Sequence, residues 1–167
     1  GEFALYTLEQ WFLSNRPETR IVSLAGDVRD PERLEEVFTL YKPSIIFHAA
    51  AYKHVPLMEV GNAWQAVRNN VFGTLQLAEC ARRHKAERFV LISTDKAVNP
   101  TNVMGATKRL AEMLCEALYR EDPVTQFTIV RFGNVLGSNG SVIPKFQEQI
   151  ARGGPLTVTH PEITRYF

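Results

Sequence analysis

The chain has only two cysteines, Cys80 and Cys115, and each falls inside an apolar helical pattern. That excludes a disulfide framework as the basis of the fold. Both read as small buried hydrophobes in a reducing, cytoplasmic setting. No apolar run approaches the roughly 20 residues that span a bilayer, and nothing resembles a signal peptide, so no membrane contact is expected of this stretch itself. An excess of either charge is missing too: 19 Lys and Arg stand against 18 Asp and Glu, with the signs interspersed. A formal charge of +1 gives no footprint for nucleic acid or an anionic surface. Any anionic ligand must be held by local groups. Repeats and low-complexity tracts are absent, and what remains is 167 residues, 45% hydrophobic and 22% charged. That is the composition of one soluble domain or part of one. The chain opens on Gly1-Glu2-Phe3 and stops at Thr164-Arg165-Tyr166-Phe167 without a turn or cap signal, so a longer parent protein is expected.

Short apolar runs alternate with segments of helical period. Arg20 to Leu24, Ser44 to His48, Arg88 to Ser93 and Gln126 to Arg131 read as strands of a buried parallel sheet. Between them, Pro31 to Tyr41, Ala63 to His84 and Asn102 to Tyr119 carry apolar residues at three-to-four spacing. This rhythm predicts an α/β fold, a Rossmann-like, doubly wound parallel sheet covered by helices on both faces. Ligands in such folds bind beyond the carboxyl ends of the strands. Here the four exits carry Gly26-Asp27, His48-Ala49-Ala50-Ala51, Ser93-Thr94-Asp95-Lys96 and Gly133-Asn134. All are small or chemically capable, as a cofactor cleft requires.

Each exit has a plain reading beside a functional one. Asp27, with Val28 after it, is either a turn or cap carboxylate or a partner for the adenine of a dinucleotide. Ala49, Ala50 and Ala51 permit tight helix–sheet packing or close approach of a bulky ligand. Tyr52-Lys53-His54 directly after them favours the ligand, since Lys53 can pair with phosphate or bond a sugar hydroxyl. Asn70 sits inside a long helix, where it either faces solvent or bridges backbone and cofactor-side groups. His48 and His54 make no convincing metal pair, since His84 and His160 are far off in sequence and no cysteine joins them at ligand spacing, so no metal is expected. At the third exit, Ser93, Thr94, Asp95 and Lys96 place two hydroxyls, a carboxylate and an amine together. The following helix then presents Met104 and Lys108 four apart on one face.

That stretch resembles the extended short-chain dehydrogenase/reductases, whose pattern is a strand-end Ser or Thr followed by Tyr-x-x-x-Lys. The match departs at one point, because Met104 stands where the Tyr would be. The runs His48 to Glu59, Asn69 to Thr74, Ser93 to Arg109 and Arg131 to Phe146 closely resemble the polysaccharide-biosynthesis branch of UDP-N-acetylglucosamine 4,6-dehydratases. The Met variant is similar to that branch's long, membrane-anchored members. Residues 1–167 would then be part of an NAD(P)-binding domain, cytoplasmic in placement, in a parent anchored to the inner membrane. The resemblance implies NAD or NADP as cofactor, a UDP-sugar substrate, and a homo-oligomer when intact. A glycine-rich phosphate loop and the strand bearing it are expected before Glu2, which would end a second strand at the adenosine ribose, and a C-terminal substrate portion is expected after Phe167.

The same resemblance assigns roles. Thr94, Asp95, Lys96, Met104 and Lys108 form the catalytic group, with Asp95 as acid, Lys96 as base and Lys108 anchoring the nicotinamide ribose. Glu2, Asp27, Val28, Ala49, Ala50, Ala51, Lys53, Asn70, Ser93 and Lys108 hold the cofactor. Lys53, His54, Asn134, Val135, Asn139, Ser141, Val142 and Arg165 hold the sugar nucleotide. A 4-epimerase, or a binding protein without catalysis, is the alternative reading.

Overall fold

The computed structural model describes residues 1–135, 142–158, 160 and 162. Helix α1 (Glu2–Asn15) follows Gly1 and has no buried residue. Helix α2 (Pro31–Tyr41) opens on a cap, the Asp30 carboxylate accepting from the Arg33 amide at 3.0 Å with Pro31 next, and it closes on Lys42 at φ +44°. Strand β1 (Ile45–His48) leads into short helices α3 (Val55–Glu59) and α4 (Ala63–Val67). A single π turn, Arg68–Phe72, joins α4 to α5 (Gly73–Arg83). Strand β2 (Arg88–Thr94) ends in a 3-10 turn, Asp95–Ala97, before the long helix α6 (Val103–Glu121). Strand β3 (Gln126–Phe132) and helix α7 (Val142–Ala151) follow.

The three strands form one parallel sheet in the order β1-β2-β3. Registers pair His48 with Leu91 and Ser93 with Arg131, so alternate residues of all three strands share a face. On one face Phe89, Leu91, Ile46, Phe127 and Ile129 meet Phe38 of α2, Leu77, Ala78 and Ala81 of α5, and Ala111, Cys115 and Leu118 of α6. Both cysteines are free and fully buried there, as expected of small hydrophobes. Among the described residues the opposite face is left largely uncovered near β1. Phe47 is 71% exposed and Ile45 48%.

Two expectations from the sequence change. Arg20 to Leu24 is not a strand, because no neighbouring strand among the described residues lies beside it to complete a ladder, and a strand exists only through that pairing. Ala63 to His84 is not one regular helix, since the π turn interrupts it at the two asparagines, poor helix formers. The architecture is nonetheless Rossmann-like, a parallel sheet with right-sized helical crossovers between consecutive strands.

Candidate cofactor and substrate cleft

Where the three strands end, a cleft of about 280 Å³ opens between the loop after β1, the end of β2, the first turns of α6 and the exit of β3. Ten residues singled out in the sequence line it: Ala49, Ala51, Lys53, Ser93, Thr94, Lys96, Met104, Lys108, Asn134 and Val135. Tyr52, Ile92, Phe132 and Gly133 complete the wall.

The exit of β2 carries a compact ion pair. Lys96 Nζ donates to Asp95 Oδ1 at 3.0 Å, and the Thr94 hydroxyl donates to the same oxygen at 2.9 Å. Thr94 Oγ1 in turn accepts from the Lys96 amide at 3.3 Å, capping the 3-10 turn. Burial pushes the Asp95 carboxyl up, but the Lys96 ammonium and the Thr94 hydroxyl outweigh it and hold the group below the usual carboxylate range. At rest Asp95 is therefore a carboxylate.

Helix α6 reaches this exit because its first turn is capped by Asn102, whose Oδ1 accepts from the Gly105 amide at 2.8 Å. Gly105 allows the approach: a Cβ there would stand 2.3 Å from the Lys96 carbonyl oxygen. Met104 and Lys108, one turn apart, are both buried, at 4% and 5% exposure. Lys108 Nζ donates to the Ile92 carbonyl at 2.6 Å. Burial lowers its pKa against the opposing pull of Cys115 and Glu112.

The loop after β1 is held by Asn70. Its Oδ1 accepts from the Tyr52 amide at 2.8 Å, and its Nδ2 donates to the Tyr52 carbonyl and to Thr107 Oγ1, each at 3.0 Å. Asn70 is thus a buried bridge within the protein, and it ties the Ala49–Tyr52 loop to α6. His48 Nε2 lies 2.8 Å from Thr74 Oγ1, whose own proton goes to the Asn70 carbonyl at 2.7 Å. Nε2 must therefore donate. Burial, with Lys108 adding to it, lowers His48 to about 4, which keeps the ring neutral at neutral pH.

Other singled-out residues sit apart from the cleft wall. Glu2 opens α1 instead of ending a strand. Asp27 closes a fork with Arg29, at 2.9 Å to Nε and 2.5 Å to Nη2, and the Arg29 contacts lower it to about 2. The Val28 side chain packs on the core and against Gly73, where a Cβ would come within 2.7 Å of it. Ala50 is exposed beside the cleft, and Val142 begins α7 half-buried. His54 acts as the N-cap of α3 through Nδ1, 3.4 Å from the Leu57 amide. Asn139, Ser141 and Arg165 lie outside the described residues.

The polysaccharide biosynthesis protein family matches residues 1–167 in full. The chain belongs to this family. It is 54% identical to the capsular polysaccharide biosynthesis protein CapD of Staphylococcus aureus over its whole length, which is 28% of that relative. It is 41% identical to the UDP-glucose 4-epimerase of Rickettsia rickettsii over 85% of its length and 41% of the relative's. Among solved structures, Pen from Bacillus thuringiensis superposes with a TM-score of 0.87 at 38% identity, covering 99% of this chain and 52% of that one. DesIV of Streptomyces venezuelae, a dTDP-glucose 4,6-dehydratase solved with NAD bound, superposes with a TM-score of 0.71 at 27% identity, over 78% of this chain and 45% of its own. The chain thus spans about half, or less, of the relatives it matches.

For a member of the polysaccharide biosynthesis family, the sequence reading missed two features. Glu112 is fully buried and accepts hydrogen bonds from Ser93 on β2, Arg131 on β3 and Arg109 on α6. A visible signal existed, since Glu112 follows Lys108 by four residues on the buried face of α6. The second is a group of potential metal ligands, Glu35, Cys80 and His84, whose donor atoms lie within 4.8 Å of one another. The four-residue spacing of Cys80 and His84 on α5 was its signal. It lies between α2 and the end of α5, and Arg83 already occupies the Glu35 carboxylate at 3.0 Å. Burial raises the Cys80 thiol to about 11. Among the described residues, no helix is long and apolar enough to cross a membrane.

Proposed function

We propose that residues 1–167 form the central part of the NAD(P)-binding domain of a nucleotide-sugar 4,6-dehydratase, converting UDP-N-acetylglucosamine to a UDP-4-keto-6-deoxy sugar for surface polysaccharide. The observation that carries this reading is Lys96 on the wall of the same cleft as Met104 and Lys108, with Asp95 paired to it at 3.0 Å behind that wall at the exit of β2. The cleft fits the nicotinamide half of a dinucleotide. Ala49 and Ala51 let a flat ring approach the backbone, and Lys108 keeps ammonium donors beyond the one on Ile92 for a ribose hydroxyl. Asp27 and Val28 are the residues assigned to adenine on this reading, with Arg29 sharing the Asp27 carboxylate.

A bound nicotinamide would supply the redox chemistry, taking a hydride from carbon 4 and returning it to carbon 6. The protein's part is proton traffic. A sugar seated on Lys96 and Asp95 desolvates their ion pair, and passage of one proton along their 3.0 Å hydrogen bond turns it into a neutral acid and a neutral amine. Proton count is conserved in that exchange. With Met104 unable to exchange a proton, the Lys96 amine first accepts the carbon 4 hydroxyl proton, which passes to Asp95 as that acid gives its own proton to the departing carbon 6 hydroxyl. The amine so freed removes the carbon 5 proton and gives it back to carbon 5 when carbon 6 is reduced. Thr94 hydrogen-bonds the carbon 4 oxygen, its hydroxyl turning there from Asp95 once that carboxyl carries a proton. Asn134 and Val135 wall the sugar-nucleotide side, with Lys53 opposite.

A 4-epimerase is the second reading, favoured by the name of the rickettsial relative. Epimerisation has no use for an Asp95–Lys96 acid–base pair. Incubating the intact protein with UDP-N-acetylglucosamine separates the readings. A 4-keto-6-deoxy product supports the dehydratase, a 4-epimer the rival, and unchanged substrate with measurable binding a non-catalytic module.

A further inference from the structure

Glu112 is 0% exposed and lies beneath the cleft rather than in it. Its carboxylate accepts four hydrogen bonds: from Ser93 Oγ at 2.6 Å, from Arg131 Nε at 2.9 Å and Nη2 at 2.6 Å, and from Arg109 Nη1 at 2.9 Å. A buried carboxylate so provided stays ionised. Burial pushes its pKa up, but Arg131, Ser93 and Arg109 together hold it near 2. Ser93 has one hydroxyl proton, and Glu112 takes it. Towards the cleft, Ser93 therefore offers lone pairs only. One turn earlier on the same helix, Lys108 grips the carbonyl of Ile92, the residue before Ser93. Consecutive residues at the end of β2 are thus held by a cation and an anion of α6, spaced one turn apart. Ser93 and Arg131 face each other in register, so the same carboxylate also ties the end of β2 to that of β3.

We propose that Glu112 is a positioning residue for the dinucleotide cleft, acting through Ser93 by fixing its hydroxyl as an acceptor for a donor group of the bound cofactor. The proposal rests on the cofactor reading above, but not on the dehydratase chemistry. Its test is a double-mutant cycle on NAD affinity, measured by titration of the intact protein with Ser93→Ala, Glu112→Gln and the pair. Ser93→Ala is expected to weaken binding about fivefold, the worth of one hydrogen bond. Glu112→Gln is expected to weaken it by a similar factor, and the double variant no further than Ser93→Ala. Melting temperatures are read alongside, because a purely structural Glu112 lowers the melting temperature and leaves the affinity of the folded protein unchanged.

Additive losses, or a Glu112→Gln protein binding as tightly as the parent, overturn the proposal. Should Glu112→Gln fail to fold, Ser93→Ala alone decides: it leaves three arginine donors on Glu112, and unaltered NAD affinity overturns the idea. A parent that binds no dinucleotide overturns the cofactor reading and this proposal together. A non-additive cycle in a protein that makes no 4-keto sugar sustains this proposal and overturns the dehydratase alone.

Discussion

The ends of β1 and β2 lie side by side, with His48 paired to Leu91, and they bury polar groups in opposite states of charge. At the end of β1 the buried group is neutral: His48 donates to Thr74, Thr74 to Asn70, and Asn70 holds Tyr52. At the end of β2 the groups are ionic, with Glu112 under Ser93 and Lys108 on Ile92. A neutral chain of hydrogen bonds is enough to shape a wall of small alanines. The end that carries reactive groups needs fixed charge beneath it, because charge-assisted bonds are shorter and stronger and hold a side chain more narrowly. The comparison assigns shape to β1 and chemistry to β2.

Removing one cation from each exit tests that assignment most strongly. Lys96→Ala is expected to lower kcat about 10²–10⁴-fold, the range for loss of a general base. Lys53→Ala, on the β1 side, is expected to raise KM about tenfold, the worth of one charged hydrogen bond, with kcat little changed. Steady-state kinetics of the intact protein on UDP-N-acetylglucosamine read both, and an active Lys96→Ala enzyme breaks the comparison. Next come two substitutions at the contacts that hold each exit. Gly105→Ala drives a methyl into the Lys96 carbonyl, at 2.3 Å, and is expected to cost about 1–3 kcal/mol while displacing the ion pair, so stability and turnover fall together. Asn70→Ala frees the Tyr52 loop for about 1–3 kcal/mol, with a larger effect on KM than on kcat. Urea unfolding with kinetics on the same samples distinguishes them.

The smallest effect is in pH dependence. His48 titrates at about 4 in the fold against an ordinary 6.5, so below pH 6.5 the unfolded chain takes up the proton first. Stability then declines from pH 6.5 to about 4 and levels off. Glu112, held at about 2 against an ordinary 4.5, contributes stability above pH 4.5 that is lost as pH falls towards 2. In urea unfolding across pH, His48→Gln should flatten the upper decline, and Glu112→Gln should reduce the lower one, to which Asp27 and Asp95 also contribute. Decline in the same window for both variants sinks the neutral-against-ionic distinction.

Much of this was legible in the residues. Local patterns carry it: the alternation of apolar runs and helical periods, minimal side chains at Ala49–Ala51, the Ser93-Thr94-Asp95-Lys96 exit, and the four-residue step from Met104 to Lys108. These determine a parallel α/β unit and a cleft at its strand ends, since strand and helix periods, and which residues leave a strand together, are properties of neighbours in the chain. Tertiary structure alone decided the rest. Arg20 to Leu24 has the composition of a strand, but ladder hydrogen bonds come from a partner, not from the segment itself. Glu112 reads as one more helical carboxylate until the fold brings Ser93 and Arg131, each 19 residues away, onto it. Asn70 becomes a bridge because a π turn aims it at Tyr52 and Thr107. A side chain's type is written in the sequence, whereas its charge state and the direction of its proton depend on the burial and partners that packing supplies.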